Sequence, residues 1–428
     1  MKDLIEDLMK IYLACIDSYY PKIHQTINDK YTIVDKSMIT SYLFTKIMED
    51  RNEKNDEVTM VLKNYILKQV IYSETGNIVF EIENADKAFL YNEILDSLVL
   101  EKFKYKNRVL KELKFNYKLI PHNKYSELLA FLENIAELSI FNKLLLRGNK
   151  EAETKLKKIN ENIKNYSNLL NEKDYFYEEK KQLIDLVISN NFFESEYGNL
   201  NNVALNLIQV NRFAYLFLQV PENVMLHTFI ITVSSIIFSE YCIEKFNENI
   251  DIYSIITKSL FHDFGEYKGV EIISHFKYYN ELSTKMFTEI EENAQKDLEE
   301  LIGTNLYSII SNYKEGLEGY IIDEIDKITG IMKLLIESSY YNNYTLLKTT
   351  NAIYQERFKR FLRLEKIEGT QNKDFYMDFL RESYIYIKEG LIEKDVNIFL
   401  RYFTEEELEK YRAEIEFLKK NPNEFLKK

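Results

Sequence analysis

Apolar positions recur at helical spacing along most of the chain. Leu156, Ile159, Ile163, Tyr166 and Leu170, for example, are three or four residues apart, which places them on one face of a helix. The 428 residues include only 11 Gly and 4 Pro, so the residues that most often end helices are rare. The pattern predicts an all-α protein.

Two segments depart from this regular pattern. In residues 66–82, two stretches with β-branched residues flank Glu74, Thr75, Gly76 and Asn77, which predicts a small hairpin or a loop crossing. Residues 149–188 are highly charged and keep the helical spacing. They predict a protruding helical hairpin or coiled-coil arm, with an ordinary helix packed on the body as the alternative.

Turn-forming residues concentrate at positions 189–202, which we take as a domain boundary. We expect a helical N-terminal domain over residues 1–195, a domain over 196–345 that holds the candidate chemistry, and a helical C-terminal extension over 346–428. Ala85-Asp86-Lys87 faintly echoes Ile325-Asp326-Lys327, so a degenerate duplicate in the N-terminal domain is one interpretation.

Charge and cysteine content narrow the classes of partner. The formal net charge of -13 disfavours binding to a nucleic-acid polymer, because such binding depends on Lys and Arg displacing counterions. Cys15 and Cys242 are isolated in apolar surroundings, as expected of reduced thiols. The longest apolar run, residues 229–238, is too short to span a bilayer, which needs about 20 residues. We therefore expect a cytoplasmic protein without a membrane partner.

The candidate chemistry begins at an adjacent pair, His262 and Asp263. The chain has only five His, and imidazole and carboxylate groups are common ligands of divalent metals. The pair follows a predicted helix over residues 252–261 and precedes Gly265, so both side chains can reach one ion where the helix ends. Glu266 lies four residues after His262 and can face the same pocket.

Two further candidates lie on either side of this pair. His227 follows Pro221, which we place in the first turn of a helix, but a lone His on an apolar face is more often a core residue. Asp326 lies in a strongly apolar helix, where a carboxylate needs a partner or a metal. Asp323 is on nearly the same face, so spacing alone does not choose between the two.

Sequence motifs around these positions resemble the HD-domain phosphohydrolases, and among them the 5'-deoxynucleotidase group related to the bacterial YfbR protein. The resemblance covers about residues 203–343. It is carried by these segments in chain order: Asn211-Arg212-Phe213, Glu222-Asn223-Val224 leading to His227, His262-Asp263 with Glu266, Gly269-Val270-Glu271, His275-Phe276-Lys277-Tyr278-Tyr279-Asn280, and Ile325-Asp326-Lys327. The last segment matches the Ala-Asp-Lys element of the family, which favours Asp326 over Asp323.

The resemblance implies an HD-domain helical bundle and one divalent metal ion, which could be Co, Mn, Mg, Zn or Fe. Its ligands would be His227, His262, Asp263 and Asp326. Glu266 would be the catalytic general acid or base.

Substrate contacts follow from the same resemblance. Arg212 and Lys277 would hold the phosphate, and Phe213 and Glu271 would line the substrate pocket. Phe213 replaces the family's Trp and Glu271 replaces its Asp, so these two positions depart from the family pattern.

The function implied is removal of the 5'-phosphate from nucleoside or deoxynucleoside monophosphates. One alternative is an HD phosphohydrolase acting on another nucleotide, such as a cyclic dinucleotide or a nucleoside triphosphate. Another is a protein that senses nucleotides or acts as a scaffold and keeps the metal site without turnover. The resemblance also implies a homodimer.

Overall fold

The computed structural model describes residues 2–19, 26–28, 31–72, 123–212, 221–268, 280–337, 357–393, 405–422 and 424. The all-α prediction is confirmed, since these residues form helices apart from one two-stranded antiparallel sheet, β1 (Thr26–Asn28) and β2 (Tyr31–Thr32). The helices before residue 210 are α1 (Lys2–Tyr19), α2 (Ile33–Asp50), α3 (Asp56–Tyr72), α4 (Lys124–Leu146), α5 (Glu151–Leu169), α6 (Tyr177–Ile188) and α7 (Glu196–Leu207).

The second half of the chain continues in the same way. Its helices are α8 (Val224–Phe246), α9 (Ile252–Phe261), α10 (Glu281–Ile302), α11 (Thr304–Asn312), α12 (Gly316–Glu337), α13 (Arg357–Glu365), α14 (Lys373–Glu393) and α15 (Glu405–Lys420). Short 3₁₀ turns lie at Phe192–Glu194 and Phe264–Lys268.

Helix α8 lies at the centre of the fold and packs against α1, α9 and α12. It is the one helix among the described residues that is long and apolar enough to cross a membrane, but 89% of its most apolar stretch is buried. Burial of such a face contributes about 25 cal/mol per Å² of apolar area. The longest apolar run of the chain, residues 229–238, therefore lies within the core helix of the fold.

Side-chain caps decide where the helices near the site begin. The Asn223 side chain accepts a hydrogen bond from the backbone N–H of Leu226 at 2.8 Å, so α8 begins at Val224. Pro221 precedes that cap, and its predicted place in the first turn of the helix is wrong. Asp251 caps α9 in the same way, by accepting from the N–H of Ser254 at 3.2 Å.

Two local predictions come out differently. The hairpin prediction for residues 66–82 is wrong for its first strand, because residues 66–72 form the end of α3. Residues 73–82 lie outside the described residues. For residues 149–188, the structure has the packed alternative. Helix α5 lies against α4 and buries four side chains, Ala152, Leu156, Ile159 and Ile163.

The predicted division at residues 195 and 345 stays a prediction. One cluster of buried apolar residues runs from Leu4 to Leu418 and includes side chains from all three predicted segments. Helices α1 and α2 both pack on α8, so these N-terminal helices lie directly behind the helix that carries His227. Residues 85–87, on which the duplication was suggested, lie outside the described residues.

Candidate metal centre

His227 lies in the first turn of α8, and its side chain is only 1% exposed. A short antiparallel pairing between residues 210–212 and 222–224 leads into this helix. The backbone N–H of Arg212 donates to the carbonyl of Glu222 at 2.7 Å, and the N–H of Val224 donates to the carbonyl of Val210 at 2.9 Å. These two backbone bonds hold Arg212 beside the start of the helix that carries His227.

His262 and Asp263 follow α9 directly, as predicted. The Nδ1–H of His262 donates to the carbonyl of Ser259 at 2.7 Å, which leaves the lone pair of its Nε2 available. That Nε2 is buried, and it lies 3.1 Å from Oδ2 of Asp263 without the geometry of a hydrogen bond. A buried imidazole nitrogen and a carboxylate oxygen that lie side by side without a hydrogen bond between them can bind the same metal ion.

The four predicted ligands come together from two helices and from the turn that follows α9. The ligand atoms of His227, His262 and Asp263 all lie within 4.8 Å of one another. Asp326, on α12, joins this group through His227: its Oδ1 is 3.0 Å from Nε2 of His227, which in turn is 3.6 Å from Oδ2 of Asp263. Two imidazoles and two carboxylates are donors that suit Zn, Mn, Co, Fe or Mg, and the residues present fit a divalent ion.

The charges of the cluster are mutually dependent. Burial alone would raise the pKa of Asp263, but the adjacent His262 and His227 hold it well below its ordinary value. Burial would also raise the pKa of Asp326, but Lys327 and His227 lower it well below its ordinary value. Both carboxylates are therefore ionised at neutral pH, which is the form that binds a cation.

The pKa of His262 shifts in the opposite direction. Burial alone would lower it, but the charge of Asp263 raises it above the ordinary value. Metal binding needs the neutral imidazole, so we expect protonation of His262 at lower pH to weaken metal binding.

Two cations lie next to the cluster. The Nη2 of Arg212 is 3.9 Å from Oδ1 of Asp326, and its Nη1 is 3.4 Å from Oε1 of Glu222. Burial would lower the pKa of Arg212, but the carboxylates of Asp326 and Glu222 raise it, so the guanidinium stays charged. The Nζ of Lys327 lies 2.6 Å from Oδ2 of Asp326, and its side chain is 36% exposed. Each of the two carboxylate oxygens of Asp326 therefore has a cation beside it.

Glu266 lies in the 3₁₀ turn that follows the His-Asp pair, and its backbone N–H donates to the carbonyl of Asp263 at 3.0 Å. The carboxylate is half-buried, and its charge contributes to the raised pKa of Arg212. The remaining predicted substrate contacts, Phe213, Glu271 and Lys277, lie outside the described residues.

The structure brings three further residues to the site that the sequence reasoning did not assign. Glu222 contacts His227, with its Oε1 3.4 Å from Nδ1; it was visible in the Glu-Asn-Val motif but had no role. Lys327 was part of the Ile-Asp-Lys motif and likewise had no role. The ring of Tyr313 lies 6.2 Å from that of His262. Burial first, and then the charges of Asp263 and Asp326, raise its pKa. One Tyr among 33 carries no sequence signal.

One comparison with known protein families gives a match. Residues 200–381 match the model of a family described as 5'-deoxynucleotidase YfbR-like. The match supports the YfbR-like relationship, whose broader superfamily is the HD domain, and it continues past residue 343 into α14. No curated protein and no solved structure matches the chain.

Proposed function

We propose that this protein is a metal-dependent phosphohydrolase that removes the 5'-phosphate from nucleoside or deoxynucleoside monophosphates. The observation that carries the proposal is the convergence of His227, His262, Asp263 and Asp326 inside a segment that matches the YfbR-like family. We further propose that these four side chains are the ligands. A divalent ion supplies Lewis-acid chemistry: it activates water and neutralises charge that develops on the phosphate oxygens.

The protein's own groups would bind and orient the phosphate. Arg212 offers a planar fork of donors that stays charged because the carboxylates of Asp326 and Glu222 surround it. Lys327 offers an ammonium at the exposed edge of the cluster. Lys277 and the pocket residues Phe213 and Glu271 remain proposals that rest on the family resemblance.

Glu266 would handle the proton. Water attacks phosphorus, the bond between phosphorus and the 5' oxygen breaks, and the proton of the water must reach that leaving oxygen. A half-buried carboxylate one turn from His262, outside the ligand set, can accept the proton from water or deliver it to the leaving group. We also propose a cytoplasmic location, which the isolated cysteines and the short apolar run support, and a homodimer, which the resemblance implies.

A panel of nucleotides tests the proposal directly. Protein loaded with Co²⁺, Mn²⁺ or Mg²⁺ should release inorganic phosphate and nucleoside from at least one nucleoside 5'-monophosphate. Release of a linear dinucleotide or of triphosphate would instead identify one of the other HD activities. Tight binding of nucleotide without any product, unchanged in Glu266→Gln, would favour the sensing or scaffold alternative and would contradict the proposed function.

A further inference from the structure

A buried hydrogen bond connects the N-terminal helix to the candidate metal centre. The hydroxyl of Tyr12, on α1, donates to Oε2 of Glu222 at 2.8 Å, and both side chains are buried. Tyr12 lies far outside the segment that matches the family, which begins at residue 200. The contact therefore joins a part of the chain without an assigned role to the residue that precedes the α8 cap.

The two oxygens of Glu222 face different neighbours. While Oε2 accepts from Tyr12, Oε1 lies 3.4 Å from Nδ1 of His227 and 3.4 Å from Nη1 of Arg212. One carboxylate thus contacts both a proposed metal ligand and the proposed phosphate-binding cation. Because Tyr12 holds the other oxygen, it limits rotation of this carboxylate.

The orientation matters for His227. Nε2 of His227 is hydrogen-bonded to Oδ1 of Asp326 at 3.0 Å. A metal ion bound at Nε2 would require the tautomer with the proton on Nδ1, and Oε1 of Glu222, which lies 3.4 Å from Nδ1, favours that tautomer.

A second tyrosine on the same face of α1 supports the same region. Tyr19 follows Tyr12 by seven residues, two turns of the helix. The side-chain amide of Asn223 donates to its hydroxyl at 2.8 Å, and that hydroxyl donates to Oδ1 of Asp35 at 2.6 Å. Helix α1 therefore contacts two consecutive residues, Glu222 and Asn223, at the start of the helix that carries His227.

We infer that Tyr12 is a positioning residue of the metal centre, which acts through Glu222 on His227 and Arg212, and that helix α1 is part of the functional site. This inference rests on the proposed function for its biological meaning, but its test needs only the metal. Tyr12→Phe removes one hydroxyl and keeps the ring that fills the core.

The test is Mn²⁺ binding to the full-length protein, measured by calorimetry, for wild type, Tyr12→Phe, Glu222→Gln and the double variant. Loss of a group that orients a metal ligand commonly weakens metal affinity 10–100-fold. We therefore expect Tyr12→Phe to raise the Kd for Mn²⁺ about tenfold. Adding Tyr12→Phe to Glu222→Gln should weaken Mn²⁺ binding little further, because both substitutions act through the Glu222 carboxylate.

Tyr65→Phe is the matched control. Tyr65 is also buried and its hydroxyl also donates to a glutamate, Oε1 of Glu133, at 2.8 Å, but this pair joins α3 to α4. It should leave the Kd for Mn²⁺ unchanged, while a general loss of stability would affect both variants alike.

Several results would overturn the inference. A Kd of Tyr12→Phe within twofold of wild type, or equal losses in Tyr12→Phe and Tyr65→Phe, would do so. If Tyr12→Phe does not fold, Glu222→Gln decides alone, since wild-type affinity in that variant excludes the path. Wild type that binds Mn²⁺ but hydrolyses no nucleotide contradicts the proposed function and leaves this inference standing.

Discussion

The sharpest prediction concerns Asp35, which accepts a hydrogen bond from Tyr19, one of the two tyrosines through which α1 contacts the start of α8. It is fully buried in the first turn of α2, where its side chain accepts hydrogen bonds from the hydroxyl of Tyr19 at 2.6 Å and the backbone N–H of Thr32 at 2.7 Å. Burial nevertheless raises its pKa from 3.8 to about 6. The folded protein therefore keeps a proton on Asp35 at pH values where the unfolded chain has lost it.

The sign and size of the effect follow from this shift. A raised pKa means that the stabilisation is fully present below about pH 4 and is lost as the pH rises through about 6. A pKa that is higher by roughly two in the folded state corresponds to about 3 kcal/mol in the free energy of unfolding. About half of this stabilisation is lost above pH 5. Asp35→Asn cannot titrate, so the difference between wild type and variant should follow this curve.

Urea unfolding followed by circular dichroism between pH 5 and 8 measures that difference. The stability of wild type relative to Asp35→Asn should fall by about 1 to 2 kcal/mol from pH 5 to 7.5 and then stay level. Asp185→Asn, at an exposed position on α6, is the matched control and should give a constant difference. A constant difference for Asp35→Asn as well would refute the reasoning.

Three further predictions concern the site and the core behind it. Glu266→Gln should lower kcat about 10²- to 10⁴-fold with unchanged metal content, as expected for loss of a general acid or base; steady-state kinetics with metal analysis checks this, and wild-type turnover would remove Glu266 from the mechanism. Arg212→Lys keeps the charge but loses the planar fork, and should lower kcat/KM about tenfold or more in the same assay; an unchanged value would exclude a phosphate contact. Phe264→Ala should cost about 3–5 kcal/mol in urea unfolding, because its buried ring packs 4.8 Å from that of Tyr42; a loss below about 1 kcal/mol would contradict that packing.

Much of the local architecture was predictable from the sequence. Helical spacing gave the packed face of α5, and the helix before His262 has the predicted bounds, Ile252–Phe261. The choice of Asp326 over Asp323 needed the family motif, because both lie on nearly the same face. In the structure Asp326 contacts His227, whereas Oδ2 of Asp323 accepts from Arg363 at 2.9 Å.

Other features depend on contacts that no local pattern contains. Residues 66–72 have β-branched side chains that suit a strand, but burial of Ile66, Leu67 and Val70 in the core keeps them helical. The link from Tyr12 to Glu222 spans 210 residues of chain, so only the tertiary fold reveals it. The start of α8 was misjudged because the capping bond of Asn223 takes precedence over the preference of Pro221 for a first turn.

The central claim is that four side chains, from two helices and from the turn that follows α9, hold one divalent ion that serves nucleotide hydrolysis. The most direct test measures metal content and phosphate release in the same samples of wild type, His262→Ala and His122→Ala, a control outside the family match. Wild type and His122→Ala should bind about one metal per chain and release phosphate from a nucleoside 5'-monophosphate, while His262→Ala should lose both. Full metal content in His262→Ala, together with no phosphate release from any nucleotide by metal-loaded wild type, would contradict the account.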